Sequence, residues 1–451
     1  MKKKLIIVSN RLPITITKNP HSNRFQYNRS QGGLVRGVND FFKHSKKDAI
    51  WIGWCGLSTE HTSPKERKSI TQYLIKKYRY YPIFLSNDLI RKYYHEFCNE
   101  SLWSSFHNLT NNVCKMCTSK NIQGYLEANK IFADVVMTYI RSDSIVWIHD
   151  YHCMMVPQYL RNEGILCKIC FFLHIPFPQL SEYAAKNNFK DIIKSLNMTD
   201  LIGFQTQKDQ DYFIQSIMFF DKLKTKPIVH PIPVDFNYFH KLSIRHQKIK
   251  PNSSTQMILS VDRIDPIKNI PNKIKAFRLL LKNNPCLVNK IILTIVCIDS
   301  RLDGNMYYRE KQKIETEINK TRRLFPQQTT INYINQSISD DQLVQLFRMA
   351  DIALITSKAD GMNLVCKEFV ASNMDLMKSV LITKDMGVSH GLSCLKPIDC
   401  WDATTIYHRL ESVLMYTKKY HDDFQQAKQL ISKDCPIDWA NDFIKQSRDL
   451  I

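Results

Sequence analysis

Glycine is scarce in this sequence of 451 residues: there are 12, about 2.7%, where roughly 7% is usual. Five of the twelve fall before residue 57, namely Gly32, Gly33, Gly37, Gly53 and Gly56. Glycine permits backbone conformations and close approaches that other residues resist. The clustering therefore indicates that the backbone itself is needed near the start of the chain.

Long hydrophobic runs are also missing. No stretch approaches the 18 apolar residues that a membrane-spanning helix requires. The basic start, residues 1–4, is followed by only four apolar residues, 5–8, which are too few for a secretory signal. The 13 cysteines are an odd number without regular spacing, which does not suit a disulfide framework. We therefore expect a cytoplasmic protein with free thiols and no membrane partner.

Two Cys-x-x-Cys pairs, Cys114/Cys117 and Cys167/Cys170, have the spacing of zinc ligands. The second pair opens an apolar segment, residues 167–175, that is typical of a buried strand rather than of a metal knuckle. We therefore expect no metal site.

Acidic residues are few relative to basic ones. Lys and Arg number 63 against 42 Asp and Glu, a net charge of +21. Such an excess is typical of nucleic-acid-binding proteins, but the cations are spread along the chain and no recognition motif accompanies them. The composition, 44% hydrophobic and 23% charged, is that of an ordinary globular protein. The charge therefore reflects either a generally lysine-rich composition or the handling of small anionic molecules, and we expect small-molecule partners and no nucleic acid.

Short apolar runs alternate with helical patterns in both halves of the chain. The predicted strands include 5–8, 50–52, 145–148, 169–173, 201–204, 257–261, 291–298, 352–355 and 380–382, and the predicted helices include 34–42, 181–195, 363–373 and 404–430. This alternation predicts an α/β fold with doubly wound parallel sheets. Residues 230–255 interrupt it with three prolines and a basic run, so we place a domain junction there.

Polar residues that follow the strands of the first half are candidate ligand contacts, because open α/β sheets bind ligands at the carboxyl ends of their strands. Arg11 can grip a phosphate, although most such arginines form surface salt bridges. The Gly32-Gly33 turn suits an anion or sugar hydroxyls, or is a plain turn. Asp150 can accept hydrogen bonds from a sugar, and His174 either shares that site or is a core residue.

The second half has two comparable segments. Arg263 and Lys268 lie five residues apart beyond a strand, where they either clamp a diphosphate or belong to a solvated loop. In the segment 360–368, Gly361 frees a turn and Asn363 opens a helix whose first amides can cradle a phosphate. Glu368 lies one turn deeper, within reach of a ribose diol.

Together these segments resemble the trehalose-6-phosphate synthases, which are retaining glycosyltransferases with two Rossmann-like lobes facing a central cleft (GT-B). The matching segments are SNRLP (9–13), GGL (32–34), WIGWCG (51–56), YHEFCNESLW (94–103), WIHDYH (147–152), FFLHIPFP (171–178), LIGFQT (201–206), SVDRIDPIK (260–268), SR (300–301) and DGMNLVCKE (360–368). They follow the family order and extend over the chain from residue 5 to about 445.

The resemblance implies a role for each lobe. Residues 1–235 would bind the acceptor, residues 236–435 the nucleotide sugar, and a C-terminal helix, 436–451, would pack back on the first lobe. The implied acceptor residues are Arg11, Trp54, Tyr94, Trp103, Asp150 and Arg301. The implied donor residues are Gly32, Gly33, His174, Arg263, Lys268, Ile338, Asp360, Gly361, Met362, Asn363, Leu364, Val365 and Glu368. The implied catalytic residues are Asp150, His174, Arg263 and Lys268.

The activity implied is transfer of glucose from a nucleotide diphosphoglucose to glucose 6-phosphate with retention of configuration. UDP-glucose is the expected donor. The family uses no metal or other cofactor. This chain departs from the family pattern at Asn269, usually glycine, at Ala359, usually arginine, and over 385–389. Two alternatives stay open: an acceptor such as glycerol 3-phosphate, and an inactive regulatory homologue. The choice among UDP, ADP and GDP, and homo-oligomerisation, are also left open.

Overall fold

The chain divides into two compact units. A computed structural model describes residues 4–19, 22, 24–29, 33–45, 48–109, 119–187, 189–246, 255–299, 305–326, 331–375 and 377–450. The first unit comprises Met1–Ile232 and Pro436–Ile451, and the second comprises Pro233–Cys435, against the expected boundaries after residues 235 and 435.

Fourteen strands lie in the described residues. They are β1 (Leu5–Arg11), β2 (Ile14–Lys18), β3 (Phe25–Arg29), β4 (Ala49–Ser58), β5 (Tyr80–Leu85), β6 (Ile145–His149), β7 (Lys168–Phe172), β8 (Leu201–Phe204), β9 (Lys226–Val229), β10 (Gln256–Arg263), β11 (Ile291–Ile298), β12 (Ile331–Ile334), β13 (Ile352–Ile355) and β14 (Ser379–Ile382).

The α-helices of the described residues are α1 (Gly33–His44), α2 (Pro64–Tyr78), α3 (Asn87–Ile90), α4 (Trp103–Phe106), α5 (Ser119–Tyr139), α6 (Val156–Asn162), α7 (Glu182–Asn187), α8 (Lys190–Leu196), α9 (Gln207–Met218), α10 (Phe236–Arg245), α11 (Ile270–Asn283), α12 (Asn305–Leu324), α13 (Asp340–Met349), α14 (Leu364–Ala371), α15 (Gly387–Gly391), α16 (Ala403–Met415), α17 (Thr417–Ile431) and α18 (Pro436–Arg448). A π-helical stretch, Arg91–Leu102, joins α3 to α4. Within the described part of the chain, no helix is long and apolar enough to cross a membrane.

Each unit is built on one parallel sheet. The first has the strand order β5-β4-β1-β6-β7-β8-β9, with β2 and β3 forming a separate antiparallel hairpin. The second has the order β12-β11-β10-β13-β14. When the strands are counted within each parallel sheet, both sheets start 3-2-1-4-5, the doubly wound order in which the strand order reverses beside the first strand. The predicted α/β class with parallel sheets is therefore confirmed.

The strand β1 shows why such short apolar runs become central strands. Ile6, Ile7 and Val8 have no exposed surface, although successive side chains point to opposite faces of the sheet. Both faces must therefore be covered, as is usual for parallel sheets. The continuous apolar run that results is the pattern from which the strand was predicted.

Helix α18 belongs to the first unit although it follows the second in sequence. Its Phe443 ring stacks on Trp147 of β6, with ring centroids 5.0 Å apart, and lies 5.7 Å from Phe172 of β7. Trp439 of the same helix donates its indole N–H to the carbonyl of His230. These contacts fix residues 436–448 against the first sheet.

Three predicted segments differ from the structure. The single helix expected over 181–195 is two helices, α7 and α8, and the helix expected over 404–430 is broken into α16 and α17 at Tyr416. Tyr416 has φ −120° and ψ 46°, which is not helical. The junction placed at 230–255 contains helix α10. Asp235 caps the start of this helix, because its side chain accepts a hydrogen bond from the amide of Tyr238.

The cysteines of the described residues are all free, and Cys170 lies inside strand β7 as predicted. Burial raises the pKa of its thiol to about 12. The pair Cys114/Cys117 lies outside the described residues.

Candidate functional site

Candidate residues of the first unit lie where the sheet order reverses. Arg11 is the last residue of β1, Asp150 directly follows β6, and His174 comes two residues after β7. The strands β1, β6 and β7 are neighbours and parallel, so their carboxyl ends share one edge of the sheet. Ligands bind at this edge in doubly wound sheets.

Arg11 is held by aromatic rings. Its guanidinium carbon lies 3.8 Å from the ring centroid of Trp54 and 5.7 Å from that of Tyr94. The two rings are 5.6 Å apart at an angle of 68°. A Cβ on Gly56, whose φ is +98°, would lie 3.0 Å from the Arg11 Nη1. Cation–π contact and this glycine fix a planar fork of donors suited to a phosphate.

Tyr94 and Trp103 come from the helical segment that includes the π-helical stretch. The Tyr94 ring stacks on His152 at 5.8 Å, and the Trp103 ring lies 5.8 Å from Tyr151. Trp103 is almost fully buried, and its ring also contacts His107 at 4.1 Å. π-Helical turns are rare in proteins, and those that do occur are often found at functional sites. The rings of Tyr94, His152, Tyr151 and Trp103 form an aromatic wall that includes the two residues directly after Asp150.

Asp150 has an unusual backbone conformation, with φ 72° and ψ 165°. Its amide donates to the carbonyl of Phe172 at 2.8 Å, and its carboxylate accepts from the amide of His174 at 3.3 Å. The other carboxylate oxygen lies 4.0 Å from Nδ1 of His152. Such a strained residue marks a functional position. Its carboxylate, 20% exposed, is available to accept hydroxyl donors.

His174 contacts His149, which the sequence analysis included only within the segment 147–152 and did not predict as a site residue. Its Nε2 lies 3.2 Å from Nδ1 of His149, the last residue of β6. Burial lowers the pKa of His174 to about 3 and the pKa of His149 well below its usual value, because an imidazolium would lose its hydration. Both rings are therefore neutral at pH 7. The strand-end position of His149 was the available signal.

In the second unit, Lys268 meets Asp360. Arg263 ends strand β10, and Lys268 ends the 3₁₀ turn that follows it. Nζ of Lys268 lies 2.5 Å from Oδ2 of Asp360, and Nδ2 of Asn363 donates to the same oxygen at 3.0 Å. The Lys268 and Asp360 side chains are only 11% and 14% exposed. These groups lie beyond β10 and β13, the strands between which the order of the second sheet reverses.

Helix α14 begins beside this ion pair. The Asn363 side chain caps it by accepting from the amide of Cys366 at 3.1 Å. Glu368, one turn into the helix, is 7% exposed. The remaining predicted donor residues of this region are the buried Gly361, the half-buried Leu364, and three that pack at the margin of one hydrophobic core, Ile338, Met362 and Val365. The amide end of a helix beside a carboxylate can hold a phosphorylated ribose.

Asn269 explains how the chain dispenses with the glycine usual in the family. Its φ of 58° and ψ of 29° are left-handed, a conformation that asparagine tolerates. Its side chain also donates to the carbonyls of Thr356 and Trp401, at 3.2 and 2.6 Å. The asparagine therefore keeps the turn and ties it to the end of β13, next to Lys268.

Three predicted site residues fall wholly or partly outside the described residues. Gly32 and Arg301 lie outside the described residues, and Gly33 is described only as the first residue of α1. Among the described residues, no group of three or more His, Cys, Asp or Glu side chains could hold a metal.

Two doubly wound units with cationic side chains at their strand ends are the architecture of the GT-B glycosyltransferases, the class that transfers sugars from nucleotide sugars. The profile of Glycosyltransferase family 20 matches residues 3–449. The chain belongs to this family and is a glycosyltransferase.

Relatives and solved structures agree with this assignment. An α,α-trehalose-phosphate synthase (UDP-forming) from Candida albicans is 30% identical over 98% of this chain and 97% of its own length. An E. coli structure bound with UDP-2-fluoro glucose is 25% identical, with a TM-score of 0.85 and 99% of both chains covered. A Burkholderia xenovorans α,α-trehalose-phosphate synthase (UDP-forming) in complex with glucose-6-phosphate is 25% identical, with a TM-score of 0.83, covering 99% of this chain and 100% of that one.

Proposed function

We propose that this chain is an α,α-trehalose-6-phosphate synthase that transfers glucose from UDP-glucose to glucose 6-phosphate. The observation that carries the proposal is Arg11, caged by Trp54 and Tyr94 at the strand edge that also bears Asp150. A fixed guanidinium beside a hydroxyl acceptor fits a sugar phosphate. The names and bound ligands of the relatives support the same substrates.

The acceptor is assigned to the first unit. Arg11 binds the phosphate of glucose 6-phosphate, and the Asp150 carboxylate accepts from a sugar hydroxyl. Trp54, Tyr94 and Trp103 form the apolar wall against which the sugar lies. Arg301 is proposed as a second phosphate ligand from the family resemblance alone.

The donor nucleotide is assigned to the second unit. Arg263 and Lys268 bind the diphosphate, the first amides of α14 add donors to it, and Glu368 accepts from the ribose hydroxyls. The segment 360–365 and Ile338 complete this set. Gly32, Gly33 and His174 are proposed to contact the transferred glucose.

The reaction breaks the bond between C1 of glucose and the diphosphate oxygen and forms a bond from C1 to the acceptor hydroxyl on the same face. The departing phosphate oxygen takes the hydroxyl proton, so the products are trehalose 6-phosphate and UDP. Arg263 and Lys268 neutralise the charge that develops on the leaving group, a role that a metal fills in other enzymes. We therefore propose that no metal or other cofactor is required.

Replacing Arg11 tests the acceptor assignment. Arg11→Ala removes charge-assisted hydrogen bonds worth about 1.5–3 kcal/mol, so the KM for glucose 6-phosphate rises roughly 10–150-fold while the KM for UDP-glucose changes little. Arg11→Lys keeps the charge but loses the fork and the stacking on Trp54, and gives an intermediate rise. Initial rates with each substrate varied in turn measure both constants.

A matched control is Arg141→Ala, which removes an arginine that binds Asp48 at the amino end of the same sheet. Its KM values should equal those of the wild type. An unchanged KM for glucose 6-phosphate in Arg11→Ala would remove Arg11 from the acceptor site. If the wild type transferred glucose faster to glycerol 3-phosphate than to glucose 6-phosphate, the proposed acceptor would be wrong.

A further inference from the structure

Two histidines on neighbouring strands share one hydrogen bond. Nδ1 of His149 lies 3.2 Å from Nε2 of His174, and the two ring planes are inclined by 29°, with centroids 5.4 Å apart. His149 has no exposed surface, and its Nε2 has no hydrogen-bond partner within the described residues. His174 keeps part of its surface exposed.

The bond requires one proton between the two nitrogens. Burial lowers the pKa of both rings, so each is neutral at pH 7 and carries a single N–H. Either His149 donates from Nδ1, which leaves its Nε2 as a bare lone pair, or His174 donates from Nε2, which puts the His149 proton on the buried Nε2.

The second arrangement is the costlier one. It leaves a buried N–H with no acceptor among the described residues, and orphaned buried N–H groups are rarer than under-used acceptors. The Trp147 ring beside His149, 4.5 Å away, offers an indole N–H that is a donor only and is itself buried without an acceptor in the described residues. The surroundings of Nε2 therefore favour a bare nitrogen.

We propose that His149 is a positioning residue: its Nδ1–H donates to Nε2 of His174 and so fixes the His174 proton on Nδ1. His174 then presents an N–H donor, not a lone pair, to an oxygen of the sugar donor. The assignment of that oxygen rests on the proposed function, whereas the tautomer does not. Phe172, whose ring lies 4.7 Å from that of His174, holds the imidazole plane.

The tautomers can be observed directly. Two-bond ¹H–¹⁵N correlation spectra of the full chain, labelled at its 14 histidines, distinguish protonated from bare ring nitrogens. We expect His149 and His174 both to carry the proton on Nδ1 in the wild type, with His174→Gln assigning its signals. A His174 protonated on Nε2 would overturn the proposal, whatever activity the chain has.

Two substitutions of His149 separate positioning from packing. His149→Phe keeps a ring but removes the donor, so His174 loses its fixed Nδ1–H form. The KM for UDP-glucose should then rise, or kcat should fall, by about 2–13-fold, while the KM for glucose 6-phosphate stays unchanged. His149→Asn places an amide donor near the position of Nδ1 and should recover part of this loss, together with the His174 tautomer.

His230→Phe is the packing control. His230 stacks on Trp439 in the same aromatic cluster, and within the described part of the chain the hydrogen bond and ring contacts of its imidazole are with Trp439 and Phe443, not with His149 or His174. It should lower thermal stability without changing the His174 tautomer. Equal kinetics for His149→Phe and wild type would show that the tautomer has no role in donor use, and an unaltered His174 tautomer in His149→Phe would show that His149 does not set it.

Discussion

The ion pair between Lys268 and Asp360 holds a cation in place before any substrate arrives. Both side chains are mostly buried, and such burial is tolerated because Asp360 also accepts from Asn363. A lysine held in this way needs little rearrangement to meet a phosphate, and fixed charges are effective at stabilising a leaving group.

Lys268→Ala should lower kcat about 10²–10³-fold, because it removes a charge that acts mainly on the departing diphosphate. Steady-state rates with saturating substrates measure the loss. The exposed Lys282 at the end of α11 gives a control, since Lys282→Ala should leave kcat unchanged.

Lys268→Ala also leaves the Asp360 carboxylate uncompensated, and that charge alone could repel a diphosphate. The double substitution Lys268→Ala with Asp360→Asn removes both charges. If the double variant regained full kcat, repulsion by Asp360 would explain the defect, and Lys268 would have no direct role.

At the scale of residues, the sequence predicts positions better than it predicts contacts. Arg11, Asp150, Lys268 and Asp360 were found because each follows a strand or lies in a family motif. The resemblance places Trp54 and Tyr94 in one site with Arg11, but the sequence does not predict their ring contacts with its guanidinium, since Tyr94 comes from a segment more than 80 residues away. The positive φ of Asp150 has no signal in sequence either, because aspartate is found in many backbone conformations.

At the scale of elements, helix α18 depends on a missing side chain in strand β8. A Cβ on Gly203 would lie 2.5 Å from Cδ2 of Phe172 and 2.7 Å from Cε2 of Phe443, closer than packed atoms approach. The glycine therefore makes room for the ring that ties α18 to the sheet.

Gly203→Ala should lower the free energy of unfolding by about 1–3 kcal/mol, the usual cost of overpacking a core. Urea unfolding followed by fluorescence measures the change. Gly391→Ala is the control: a Cβ there meets nothing within 4 Å, so stability should change by less than about 0.5 kcal/mol. Equal stability of the two variants would contradict the packing assigned to Phe443.

Buried strands were the most predictable elements. Strands β11 and β13 have the predicted bounds, because parallel strands covered on both faces read as continuous apolar runs. Helix breaks were less predictable, since periodicity persists across the break at Tyr416. Strand β12 was not predicted, because its sequence, INYI, alternates with polar residues and only pairing with β11 makes it a strand.

At the scale of the molecule, the two units repeat one arrangement. In each, an arginine ends the first strand of the parallel sheet, Arg11 on β1 and Arg263 on β10, and a carboxylate follows the fourth, Asp150 after β6 and Asp360 after β13. Each unit therefore offers a cation and an anion where its strand order reverses, the place at which doubly wound sheets bind ligands. Both proposed substrates are anionic, which accounts for a few of the 21 net positive charges and not for most of them.

The central claim, that glucose moves from UDP-glucose to glucose 6-phosphate, is tested most directly by a donor–acceptor matrix. The purified full chain is incubated in EDTA with UDP-, ADP- or GDP-glucose and with glucose 6-phosphate or glycerol 3-phosphate, and the anomeric protons of the products are read by NMR. The Lys268→Ala chain, prepared identically, controls for contaminating enzymes. We predict α,α-trehalose 6-phosphate, formed fastest from UDP-glucose, with the chelator present. No disaccharide phosphate from any donor, or preferential transfer to glycerol 3-phosphate, would contradict the account.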